Sequence, residues 1–144
     1  MTVNLFHISR LPACARKPGL IKKACLRALR AEKYRASGEI NIIFQNRKGM
    51  LALNKRFLSH NCDTDVIAFP YSEEERAQDS PFGDIYISAY QTGKQAAALG
   101  HPVLKEILTL IIHGTLHLLG YRDDTPRRQA AMFKRQDKIL SDMK

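Results

Sequence analysis

There is no tryptophan in these 144 residues, aromatics reach only 8%, and the three cysteines, Cys14, Cys25 and Cys62, are odd in number with no CxxC spacing. Neither a disulfide framework nor a thiolate zinc site is indicated, and reduced bystander thiols are expected. Long apolar runs are missing as well. The opening MTVNLFHISRL has no apolar core of signal-peptide length, and apolar stretches elsewhere break well before a membrane span. A cytoplasmic protein with no membrane partner is expected. Low-complexity tracts and internal repeats are also absent. With 44% apolar and 26% charged residues, the chain has the balance of a globular protein. Residues 1–144 are expected to form one domain, a size at which most of the unfolded surface becomes buried.

Acidic residues are scarce: 14 stand against 23 lysines and arginines, for a net charge of +9. That bias concentrates polyanions near the surface without choosing among RNA, DNA and anionic lipid. The excess is uneven. Between Arg10 and Arg35 stand Arg10, Arg16, Lys17, Lys22, Lys23, Arg27, Arg30, Lys33 and Arg35 against a single acid, Glu32. From Pro18 onward Leu20, Ile21, Ala24, Cys25, Ala28 and Leu29 recur at helical spacing, so this is an amphipathic helix with a basic outer face. Lys22, Lys23, Arg27 and Arg30 on that face suit phosphate contacts that add affinity without reading sequence, and no DNA specificity is expected. A plain solvated face is the alternative.

The remaining pattern mixes strands and helices. Val3, Leu5 and His7 alternate with Asn4, Phe6 and Ile8, a strand before Pro12; EINIIFQN (39–46) is a second, and MLALNKRFL (50–58) a short helix. DVIAFPY (65–71) and DIYISAY (84–90) are two further strands, with Pro70 marking the end of the first or an edge position. QTGKQAAALG is a helix stopped at Gly100, and Pro102 opens the next. From Val103 to Leu119 that helix is apolar on nearly every side, which makes it the buried central helix, ended by Gly120. Thr125 and Pro126 form a cap and first-turn pair for a last helix that can turn Ala130, Phe133, Ile139 and Leu140 to the core. The fold class is α+β: a small mixed β-sheet packed with helices.

On the central helix lies HGTLHLLGYRDD, residues 113–124. His113 and His117 are four apart, so their imidazoles share one face and can point at a common ion. Two satisfied core histidines are the structural alternative, but burying both on an apolar helix is costly unless their nitrogens find partners. Gly120 ends the helix, and Asp123 or Asp124 can return toward the histidine face. A His, His, carboxylate set leaves positions open on zinc or another first-row divalent ion, as catalytic rather than structural sites do. Gly114 follows the first histidine where an HExxH protease has glutamate, so proteolysis loses its main support. His7, His60 and His101 have no paired spacing and read as surface or packed residues.

HGTLHLLGYRD resembles the HGxLHLxGYDH signature of the YbeY family of metal-dependent endoribonucleases, and TDVIAFP (64–70) and GDIYIS (83–88) are similar to its TDVLSFP and GDI segments. The motifs occur in the family's order, and the similarity runs from about residue 40 to the C-terminus. The resemblance implies an α+β metal-binding domain with the metal site on the central helix and the following turn. It also implies a role in ribosomal RNA maturation at the 3′ end of the small-subunit RNA and in ribosome quality control, with ribosomal RNA and the ribosome or its small-subunit proteins as partners. Carried over position by position, His113 and His117 match two family ligands, and the third family histidine falls on Asp123. Arg122 stands where the family has aspartate. An anionic Asp123 completes a facial site for Zn²⁺ but raises the pKa of metal-bound water. Asp124 is the alternative third ligand, and either aspartate is alternatively a helix N-terminal charge. The family's catalytic arginine aligns with Leu58, leaving Arg56 as the nearest substitute, for which a solvated helix position is the alternative. Thr64, Asp65, Gly83 and Asp84 match motif positions but suit turn formation and capping.

The expected function is therefore metal-dependent endoribonuclease, with His113 and Arg56 in the catalytic site. A non-catalytic RNA- and ribosome-binding assembly factor with a structural metal is one alternative, and a metal-dependent hydrolase of another substrate is a second.

Overall fold

The computed structural model describes residues 1–35, 37–59, 63–72 and 81–143; His60 and Cys62 lie outside them. β-branched and apolar residues at alternate positions build a four-stranded sheet. In β2 (Glu39–Gln45), Ile40, Ile42 and Phe44 are fully buried while the residues between them are half-buried. β1 (Thr2–Phe6) and β4 (Pro81–Ser88) flank β2 in parallel, and β3 (Val66–Pro70) adds antiparallel to β4, giving the order β1-β2-β4-β3. Pro70 both ends β3 and sits on an edge strand, where its missing N–H costs no ladder bond. The parallel β1–β2 pair needs a crossover, supplied by α1 (Pro18–Ala31).

Local capping fixes several helix starts. Asn46 accepts from the Gly49 N–H at the head of α2 (Arg47–Leu58), so this helix starts before the expected residue 50. Ser88 caps α3 (Ala89–Leu99), and Thr125 accepts from the Arg128 N–H to open α5 (Pro126–Asp142), as the Thr–Pro pair indicates. α4 (Val103–Leu118) follows α3 after a 117° bend through Gly100, whose φ is +69°. Among the described residues no single helix is long and apolar enough to cross a membrane.

α4 is the spine: it packs on β3 and β4 and is wrapped by α1, α3 and α5. Two glycines allow its close approach. A Cβ on Gly114 would meet Ile85 Cγ2 at 2.9 Å, and one on Gly83 would meet Leu118 Cδ2 at 2.6 Å and the Phe69 carbonyl at 3.1 Å. Gly83 and Gly114 therefore set the helix against the strand and fix where the histidines stand. On the sheet's other face Asn4 donates to Asn41, Asn41 to Asp84, and the Tyr71 hydroxyl to Asp84, a polar ladder across the strands.

Four expectations need correction. The strand expected over 84–90 ends at Ser88, which caps α3 and puts Ala89 and Tyr90 in that helix. The first strand stops at Phe6 because His7 turns into the left-handed region (φ 61°), leading into the 3-10 turns Ile8–Arg10 and Ala13–Ala15. Leu20 is exposed, so the apolar face of α1 starts at Ile21. In α5 the buried face is Met132, Gln136 and Ile139, with Leu140 half-buried; Ala130 and Phe133 are exposed. The i, i+4, i+7 stripe includes a polar residue, and that polar residue belongs to the site.

Candidate metal centre

His113 and His117 stand one turn apart on α4 with their Nε2 atoms 3.0 Å apart. Asp123 brings Oδ2 to 3.6 Å from His113 Nε2 and 3.4 Å from His117 Nε2. One ligand atom from each of the three residues lies within 4.8 Å of the others. A tetrahedral ion with bonds of about 2.05 Å separates its ligands by about 3.3 Å, so the observed spacings suit a zinc-sized ion.

The turn that delivers Asp123 is dictated by Gly120. Its φ of +102° lets the Gly120 and Tyr121 N–H groups bond back to the carbonyls of His117 and Leu116, closing α4 and reversing the chain.

Each ring is locked from its other nitrogen. His117 Nδ1 donates to the Tyr121 carbonyl at 2.9 Å, and His113 Nδ1 donates to Gln136 Oε1 at 2.8 Å. With both Nδ1 protons committed, both Nε2 atoms carry lone pairs, and these face each other and a carboxylate oxygen. Two lone pairs and an anion converging at such distances are stable only around a cation. The donor set thus fits a divalent metal on its own chemistry. Burial is the main cause that holds the His113 pKa below its ordinary value, with the hydrogen bond to Gln136 pulling the other way and the neighbouring His117 lowering it further. The neutral, ligating form is therefore favoured.

Asp124 is not part of the cluster. It takes Arg122 Nη2 at 2.8 Å and Arg128 Nη1 at 3.0 Å, and Arg128 above all holds its carboxyl below the usual range. Arg122, standing where the family has aspartate, and Arg128 together occupy it.

A cavity of about 300 Å³ adjoins the centre, lined by Asp65, Glu106, Thr109, Leu110, His113, Asp123, Phe133 and Gln136. Glu106, almost fully buried, is held by His101 Nε2 at 2.6 Å and by Gln95 Nε2 at 3.1 Å. The same Gln95 amide reaches Asp65 Oδ2 at 3.1 Å. His101 is thus a packed partner of an acid. Gln136 and Glu106 escaped the sequence reading, and Phe133, expected in the core, lines the cavity instead. The usable signal for Glu106 was one acid on an apolar helix, seven residues before His113; Gln136 offered none, since its partner lies 23 residues away.

Arg56 is not among the residues lining the cavity. It is exposed on α2 with its guanidinium carbon 5.1 Å from the centre of the Phe57 ring. Leu58, at the family arginine position, is also exposed. Lys22, Lys23 and Arg30 are exposed on α1 and Arg27 half-buried. Thr64 accepts from Asn54, Asp65 caps the Val66 N–H, and Asp84 belongs to the ladder behind the sheet.

Comparison with known proteins adds to this geometry. The family model described as Endoribonuclease YbeY matches residues 14–144, reaching upstream of the segment in which the motifs lie. An Endoribonuclease YbeY of Elusimicrobium minutum is 39% identical, with 97% of this chain and 98% of that protein covered. One of Chlorobium phaeovibrioides is 32% identical, covering 97% and 89%. A solution structure of a Thermotoga maritima protein shares the fold at a TM-score of 0.62 and 23% identity, over 96% of this chain and 87% of that one. With the match spanning nearly all of its length, this chain belongs to the endoribonuclease YbeY family.

Proposed function

We propose that this protein is a metal-dependent endoribonuclease of ribosomal RNA maturation, acting at the 3′ end of the small-subunit RNA and in ribosome quality control. The observation that carries the reading is the convergence of His113 Nε2, His117 Nε2 and Asp123 Oδ2, with both Nδ1 protons already spoken for. His113, His117 and Asp123 would hold a divalent ion, which we take to be Zn²⁺, and it would supply a bound water of lowered pKa and charge withdrawal from a phosphodiester. The protein's own part is to keep both imidazoles neutral and aimed, to reduce the local positive charge through Asp123, and to wall the cavity with Leu110 and Phe133. RNA is held by the basic outer face of α1, through Lys22, Lys23, Arg27 and Arg30, and Arg56 on α2 is assigned to its backbone. The ribosome, through its RNA or small-subunit proteins, is the partner, the cytoplasm the compartment, and residues 1–144 act as one domain.

The rival with a specific observation behind it is an assembly factor that binds the ribosome and keeps the metal for stability. Leu58 at the family arginine position, with Arg56 pointing over Phe57, favours it. Cleavage of structured RNA and co-sedimentation with ribosomes, measured together on wild type, His113→Ala and His117→Ala, separate the two. Nuclease action requires cleavage by wild type that both variants lose while ribosome binding persists. Wild type that co-sediments but never cuts establishes the assembly factor.

A further inference from the structure

Glu32 is the only acid between Arg10 and Arg35. It stands at the C-terminal cap of α1, the end at which a helix dipole disfavours negative charge. Nothing local explains a carboxylate there, but its tertiary partners do. Tyr121 Oη donates to Glu32 Oε1 at 2.8 Å, and Arg135 Nε donates to the same oxygen at 2.7 Å. Arg135 Nη2 also reaches the Ala31 carbonyl at 2.6 Å, satisfying one of the open carbonyls at that helix end. These links span 89 and 103 residues of sequence and join the C-terminal cap of α1 to the turn after α4 and to the middle of α5.

The same Tyr121 presents the carbonyl that accepts from His117 Nδ1. Its backbone is already turned by Gly120, and its ring is now held at the far end by the carboxylate. A residue pinned at both ends fixes the direction of its carbonyl, and that direction fixes the plane of the His117 ring. On α5, Arg135 works on this route while its sequence neighbour Gln136 holds His113 directly.

We propose that Glu32, itself held by Arg135, is a positioning residue for the metal centre, acting on His117 through Tyr121. The inference rests on the metal reading given above but not on the nuclease activity. Partners of metal-ligating histidines typically change metal affinity by about 10–100-fold when removed. Glu32 acts one residue further out, so a loss on the order of three- to tenfold is expected.

The test is zinc affinity by chelator competition, together with the visible absorption of the Co²⁺-substituted protein, whose bands report ligand symmetry. Tyr121→Phe removes only the hydroxyl and leaves the carbonyl and ring in place, so it decides the matter if Glu32→Ala folds poorly. Both variants are expected to bind zinc more weakly and to show altered Co²⁺ bands. Glu32→Gln, whose amide oxygen still accepts, is expected to recover part of the loss. Lys138→Ala, which breaks an exposed pair elsewhere on α5, is expected to match wild type. Wild-type affinity and an unchanged Co²⁺ spectrum in Tyr121→Phe and Glu32→Ala overturn the proposal. Wild type that binds neither ion overturns the metal reading and this inference together, whereas failure to cleave RNA touches only the activity.

Discussion

The Nε2 atoms of His113 and His117 face each other at 3.0 Å, each ring having given its Nδ1 proton to an oxygen of the chain. That arrangement asks for a cation. Zinc added to metal-free protein is therefore expected to raise the unfolding temperature, by about 2.7 kcal/mol of stability at a hundredfold excess over the dissociation constant. His117→Ala is expected to abolish the shift. Thermal scans with and without zinc read it directly, and an equal shift in the variant would place the ion elsewhere.

The depressed pKa of His113 fixes the sign of a pH effect. Its folded value lies below the unfolded reference of about 6.5. Between those two values the unfolded chain binds more protons, so this contribution to stability is fully present above the unfolded value and is lost as pH falls through the folded one. Urea unfolding of the metal-free protein is expected to show a stability loss on going from neutral to mildly acidic pH that is smaller in His113→Gln. An equal loss in both proteins would remove His113 as its source.

The helix–strand approach at Gly83 and Gly114 should be intolerant of a methyl group. Gly83→Ala meets a leucine methyl and a backbone carbonyl, and overpacking of that kind costs about 1–3 kcal/mol. Gly114→Ala meets only side-chain atoms, and replacing a helical glycine returns about 1 kcal/mol, so its net effect is expected to be smaller. Urea midpoints of the two variants give the order; a Gly83→Ala protein as stable as wild type would contradict the packing described.

The cysteines differ in reach. Cys14 is exposed, whereas Cys25 is buried and its thiol is pushed up to about 11, by burial first, despite the hydrogen bond from Thr115. A thiol reagent at neutral pH is expected to label Cys14 promptly and Cys25 only on unfolding. The count is cleanest in a Cys62→Ser background. Rapid labelling of Cys25 in the native protein would show that the α1–α4 packing opens.

Much of the site was legible because its main donors are local. The i, i+4 histidines, the Gly120 stop and the Thr125–Pro126 start are written within about a dozen residues, where helix geometry alone relates them. What escaped was set by distant partners. Gln136 reads as an ordinary polar helix residue until α5 is docked on α4, and Glu32 as a stray acid until Tyr121 and Arg135 arrive. Phe133 was assigned to the core because apolar residues usually go there, whereas the docked phase buries Met132 and Gln136 and leaves the ring beside the cavity. Asp123 and Asp124 could not be told apart from spacing; Arg122 and Arg128 separate them by claiming the second.

The most direct measurement is the rate at which the zinc-loaded protein cleaves a small-subunit ribosomal RNA 3′-end fragment, read before and after chelation and in Asp123→Ala and Asp124→Ala. Wild type and Asp124→Ala are expected to cut, and chelation or Asp123→Ala to reduce the rate by at least about tenfold, the scale of a lost ligand-level interaction. Cleavage that survives chelation, or an Asp123→Ala protein that cuts as fast as wild type, would contradict a metal centre built from His113, His117 and Asp123.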